Sequence, residues 1–177
     1  MAFRPGSADN FNAVARSIVF QQLAGRAALA IYNRFASLFD GLPSPAGVLA
    51  APEEALRGAG LSAAKTAALK DLALKATDGT VPFHELDALD DEEIITRLTA
   101  VRGVGRWTAE MFLIFQLHRP DVWPVDDLGV RKGYGIAKRL ERMPTPRELS
   151  ALGEPFRPYR SAAAWYCWRC NDTVLPE

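Results

Sequence analysis

Along nearly the whole 177-residue chain apolar side chains recur at spacings of three and four, and alternating Val, Ile and Thr runs of strand type are almost absent. That period buries one stripe of a helix and cannot fill one face of a sheet, so the fold class is all-α. Ser7 or Asp9 can cap a first helix carrying Phe11, Val14, Ile18 and Val19, and Gly25 marks a break before a second with Ala28, Ile31, Phe35 and Leu38. Gly41, Pro43 and Pro45 end it. A short helix follows from Pro45 to near Ala50, then one with Pro52 in its first turn, running through Leu56 to Gly58. Ser62 starts the next, with Ala63, Thr66, Leu69, Leu72 and Leu74 along it. Thr77 to Pro82 reads as a turn, and Asp90 or Asp91 as the cap of a helix from Glu92 to Thr99.

A chain of this length holds one domain, or two small helical lobes flanking a cleft, and not two independent domains; a single unit over 1–177 is expected. No apolar run reaches the roughly 18 residues a membrane span needs. The opening MAFRPGSADNF lacks the basic and apolar regions of a secretory signal, so a cytoplasmic protein without a membrane partner is expected. Cys167 and Cys170 suit a reducing compartment and read as packing residues, with a redox pair as the alternative. The net charge of zero argues against nucleic-acid binding, which leans on Lys and Arg. The distribution argues otherwise: residues 1–101 sum to −3 and 102–177 to +3, and seven acids lie between Asp78 and Glu93, a stretch expected on solvent.

The most informative stretch is LTAVRGVGRWTAEMFLIF, which reads as helix, tight turn, helix over about residues 92–115, with Arg106 to Phe115 as the second helix. Gly103 and Gly105 permit positive φ and close backbone approach. Amides at the start of the following helix favour an anion, and a nucleic-acid phosphate fits that role. A simple turn between two packed helices is the alternative. A dinucleotide site is excluded, because the full GxGxxG pattern and a preceding strand are both missing. Downstream, Asp126 and Asp127 stand in the Pro-containing loop of DVWPVDDLGVRKG, just before another helix, LGVRKGYGIAKRL, so one of them can be its N-cap.

The run LTAVRGVGRWTAEMFL, followed by DVWPVDDLGVRKG, resembles the helix-hairpin-helix DNA glycosylase superfamily and, within it, the 3-methyladenine DNA glycosylase II branch of alkylation repair. The similarity covers about Phe11 to Trp168. It implies the glycosylase fold and a grip on the DNA backbone by Arg102, Gly103, Val104, Gly105 and Arg106. It also implies an essential aspartate before the aliphatic residue of a DLG-like run, which is Asp127; Asp126 is left to cap the helix or orient the loop. Such a carboxylate is expected at a mouth, where it stabilises an oxocarbenium-like sugar and directs water at the anomeric carbon.

Bifunctional relatives carry a lysine that attacks the sugar; the corresponding residue here is Trp107, so the resemblance implies base removal by water, leaving an abasic site. An alkylated purine of the 3-methyladenine or 7-methylguanine type is cationic, a good leaving group and a partner for an indole face. The base must be flipped out of the duplex, and Trp107, Met111 and Trp168 are expected around it, with a core role for Trp168 as the alternative. The SIVFQQLAG stretch resembles the family's IxxQQ motif and nominates Gln22, or else Leu23, as the minor-groove wedge that fills the gap. Neither His84 nor His118 lies in these motifs. Two cysteines cannot supply the four-thiolate iron–sulfur cluster of several relatives, so no such cofactor is expected, and no metal on side chains. The family also implies a monovalent cation on hairpin carbonyls. The mixed α/β domain that precedes the helical part in some relatives is not expected here. The expected partner is double-stranded DNA with alkylated bases, engaged by a monomer; a noncatalytic DNA-binding module and a glycosylase for another damaged base are the alternatives.

Overall fold

The computed structural model describes residues 9–172, and among these there are helices and turns but no strand. Two compact units divide the chain between Phe112 and Leu113. The first holds α1 (Asn10–Phe20), α2 (Gly25–Ala36), α3 (Pro45–Ala50), α4 (Glu53–Gly58), α5 (Ala63–Thr77), a single 3₁₀ turn at Leu86–Ala88, α6 (Asp91–Thr99) and most of α7 (Arg106–Phe115). The second holds the end of α7, α8 (Leu128–Ala137), α9 (Pro146–Leu152), a 3₁₀ turn at Glu154–Phe156 and α10 (Arg160–Asp172).

Side-chain caps set most helix starts. Asp9 accepts from the Asn12 amide at 2.7 Å, Ser62 from Lys65 at 3.2 Å and Asp90 from Glu93 at 2.8 Å, which settles the choice between Asp90 and Asp91. Ser7 lies outside the described residues. Pro52 is the cap of α4 and not part of its first turn. In the first unit α5 packs on α1, α3 and α4, and α1 on α2. Val14 and Ile18 of α1, Phe35 of α2, Leu69 and Leu72 of α5 and Ile94 and Leu98 of α6 are fully buried, each contributing about 1.5–3 kcal/mol by leaving water.

In the second unit α8 lies against α10 around Trp123, Val130, Tyr134, Leu149, Ala164 and Cys167. A Cβ added at Gly133 would stand 1.8 Å from the Cys167 carbonyl oxygen, so the helices meet backbone to backbone there. The sequence reading carried α8 on to Leu140, whereas it stops at Ala137, with Arg139 in the left-handed region at φ 50°. Asp121 gathers Arg160 at 2.7 Å and Arg157 at 2.8 Å, tying the loop after α7 to the start of α10.

Candidate active site

At the hairpin the chain leaves α6 at Thr99 and enters α7 at Arg106. Gly103 sits at φ 77°, where a side chain would be strained, and buried Val104 donates its N–H to Val101 O at 3.0 Å, pegging the turn to the core. Only one of the two glycines has positive φ: Gly105 does not, and a Cβ there would meet nothing within 4 Å, so Gly105 is not demanded by its own backbone or neighbours. Arg102, Gly103 and Gly105 face solvent. Asp71 on α5 accepts the Arg102 N–H at 2.6 Å and pairs with Lys75 at 2.6 Å. Burial pushes the Asp71 carboxyl up, and the Lys75 and Arg102 hydrogen bonds outweigh it, leaving it below the usual range.

The acidic stretch is not merely solvated, as the sequence suggested. Glu92, near its end, receives both Arg106 guanidinium nitrogens at 3.0 and 2.5 Å, and Arg106 Nε donates to Glu110 at 3.1 Å. The hydrogen bonds from Arg106 hold the Glu92 carboxyl below its ordinary range and push the guanidinium further up. With its side chain so engaged, Arg106 keeps its main-chain amide in the first turn of α7, where helix amides lack partners within the helix.

After α1, the turn Gln21–Ala24 puts Gln22 at φ 57°, exposed, with Leu23 exposed beside it. Sequence reasoning passed over what holds this turn. Gln21 Nε2 donates to Gly103 O at 3.0 Å, and Lys65 Nζ donates to Val19 O at 2.6 Å and Gln21 O at 2.8 Å. Burial lowers the Lys65 ammonium's pKa. No local pattern marks these contacts. Trp107 is 48% exposed and Met111, one turn on along α7, is half-buried.

In the second unit Asp127 occupies the N-cap of α8. Its Oδ1 accepts from the Val130 N–H at 2.7 Å and from Trp168 Nε1–H at 2.8 Å. The capping role proposed for Asp126 therefore belongs to Asp127, and Asp126 is exposed. At 8% exposure Asp127 is recessed rather than open at a mouth, because the α8 amide and the indole draw it inward. Trp168 edges the core, the alternative given for it, and its indole N–H also donates to the Asp127 carboxylate, a contact the sequence did not indicate. It stacks on Phe115 with ring centroids 5.6 Å apart at 29°, a residue the sequence reading did not nominate. Helical spacing could have found it, since Phe115 lies four residues beyond Met111 on α7. A Cβ at Gly129 would stand 2.8 Å from Trp168 Cδ1 and 3.1 Å from Asp127 Oδ1, which is why a glycine follows Asp127-Leu128.

Cys167 is buried, its thiol pushed up to about 11 by burial, and neither it nor Cys170 is in a disulfide, in keeping with packing. Among the described residues no group of three or more His, Cys, Asp or Glu could hold a metal ion. For a monovalent cation the oxygens the hairpin backbone presents are its carbonyls. Of these, Val101 O accepts from the Val104 N–H and Gly103 O from Gln21 Nε2.

Residues 15–158 match the HhH-GPD superfamily of base excision DNA repair proteins. The chain belongs to this superfamily. DNA-3-methyladenine glycosylase 1 of Schizosaccharomyces pombe is 41% identical over 166 residues, covering 92% of this chain and 73% of that protein. Among solved structures, the S. pombe 3-methyladenine DNA glycosylase in complex with abasic DNA superposes with a TM-score of 0.84 at 38% identity, over 98% of this chain and 86% of that one. A DNA-3-methyladenine glycosidase from Bacillus halodurans gives 0.89 at 35% identity, over 96% and 78%. In this chain the hairpin precedes the start of α7 and Asp127 stands at the start of α8.

Proposed function

We propose that this HhH-GPD protein is a monofunctional DNA glycosylase that hydrolyses the N-glycosidic bond of flipped-out alkylated purines and leaves an abasic site. The observation that carries the reading is the Asp127 carboxylate, held by the Val130 amide and the Trp168 indole in a chain with tryptophan at position 107. The Val130 and Trp168 donors on Oδ1 hold that carboxylate at the start of α8. As the bond to a cationic purine breaks, its electrons go to the base, and the carboxylate stabilises the oxocarbenium-like sugar. Asp127 then orients a water toward the anomeric carbon and takes its proton. Trp107 has no amine, so no Schiff base forms and the strand is not nicked.

The remaining roles follow from chemistry and kinship. The amides of Gly103, Val104, Gly105 and Arg106, with the Arg102 side chain, hold a phosphate; Trp107 and Met111 on α7 and Trp168 on α10 contact the base; Gln22 or Leu23 fills the gap. Residues 1–177 act as one functional unit, as a monomer on double-stranded DNA with alkylated bases.

The test is to incubate the protein with methylated duplex DNA, assay released base by chromatography and strand breaks before alkali, and repeat with Asp127→Asn. Released 3-methyladenine or 7-methylguanine without breaks is expected. Undiminished release by the variant would remove Asp127 from the mechanism, and breaks before alkali would point to a lyase. Duplex binding without any release would make the chain a noncatalytic module.

A further inference from the structure

The turn at Gln21–Ala24 holds Gln22 in the left-handed region, a conformation that residues other than glycine rarely keep unless their surroundings impose it. No close packing imposes it here, since residues 22–24 are exposed. The constraint enters through residue 21 from two sides. The Lys65 ammonium, reaching from the first turn of α5, binds the last-turn carbonyl of Val19 and the turn carbonyl of Gln21. The Gln21 side-chain amide binds Gly103 O in the hairpin. An ammonium at a helix C-terminus meets carbonyls that have no partner within the helix, and its charge shortens and strengthens both contacts.

We infer that Lys65 is a positioning residue for the reaction: it locks the Gln21–Ala24 turn in register with the hairpin, so that Gln22 and Leu23 are already oriented when a base leaves the stack. This rests on the reading of Gln22 and Leu23 as the wedge. A preset turn loses no conformational freedom at extrusion, so its benefit falls on paired duplex, where the flipped base must be kept from returning. A single strand has no stack to refill.

The experiment uses the whole protein and an oligonucleotide carrying one 7-methylguanine, either opposite cytosine or single-stranded, under single-turnover conditions. Lys65→Met keeps the side-chain length and removes the donors; Lys65→Arg restores a charged donor. Lys65→Met is expected to lower the duplex excision rate about tenfold, the loss that goes with one charge-assisted anchor. The single-strand rate should stay within about twofold, and Lys65→Arg should recover most of the duplex rate. Added to the double variant Gln22→Ala/Leu23→Ala, Lys65→Met should cost nothing further.

Equal losses on duplex and single strand would mean Lys65 only supports the fold and would overturn the inference. Full duplex activity of Lys65→Met, with Gln22→Ala/Leu23→Ala impaired, would overturn the Lys65 assignment alone. An unimpaired Gln22→Ala/Leu23→Ala variant would overturn the wedge reading and this inference with it.

Discussion

The N-termini of α7 and α8 are built from the same backbone and finished in opposite ways. Ahead of α7 stands Gly105, with no side chain to lay over the first-turn amides. Ahead of α8 stands Asp127, whose carboxylate accepts the Val130 amide at 2.7 Å and is steadied by Trp168. On the proposed function, the first arrangement keeps main-chain donors for an anion from outside, and the second uses the helix's own donor to hold a carboxylate in one pose. A binding surface can therefore rest on glycines and amides, where substitution costs little unless it fills space or adds charge, whereas a reacting group rests on one side chain.

The largest effect expected of this contrast is at Asp127. Asparagine caps a helix as well as aspartate does, so Asp127→Asn should preserve α8 while lowering base release by about 10³-fold, with duplex affinity within about threefold. Base release at the wild-type rate, or a loss of affinity matching the loss of rate, would break the division of labour. Next comes the packing that steadies Asp127 and Trp168. Gly133→Ala places a methyl 1.8 Å from the Cys167 carbonyl oxygen and should lower stability by about 3 kcal/mol in denaturant unfolding. Smaller again is the conversion of the first helix start into the second. Gly105→Asp supplies a cap and a negative charge in open space, so stability should move by no more than about 0.5 kcal/mol while duplex affinity falls about tenfold. Unchanged affinity in a titration would take the α7 amides out of DNA binding.

A third helix start, that of α9, sharpens the comparison by pH. Its capping box joins Thr145 to Glu148, and hydrogen bonds from Arg142 and then Thr145 hold the Glu148 carboxyl down to about 2 from 4.5. A depressed carboxylate contributes stability above its unfolded value and loses it as pH falls through the folded one. The melting temperature of Glu148→Gln should thus lie slightly below wild type at neutral pH, converge with it below about pH 4.5 and meet it near pH 2. Because the pair is exposed, this is the smallest effect of the four.

Local signals carried much of the fold. Caps three residues from the amides they bind, as at Asp9, Ser62 and Asp90, and glycine and proline breaks were legible because the partner is a near neighbour. The Thr145-Pro-Arg-Glu148 box was equally legible and was passed over. A motif nominated Asp127 for the site, whereas the contacts that hold it depend on partners the sequence does not mark. Asp126 and Asp127 are indistinguishable by type, and the choice of cap waits on how the loop turns at Pro124, whose carbonyl accepts the Asp127 N–H at 3.1 Å.

By itself, then, the amino-acid sequence determined an all-helical chain, the hairpin with its helix from Arg106, and membership of a DNA-repair superfamily, because period, caps and motif spacing act over a few residues. Only the tertiary structure decided that Trp168 holds Asp127 across 41 residues, that Lys65 reaches back 46 to Val19, and that Gln21 meets Gly103 across 82. Such pairings are invisible in any window of sequence, because they form only when packing brings distant backbone and side chains within hydrogen-bond reach.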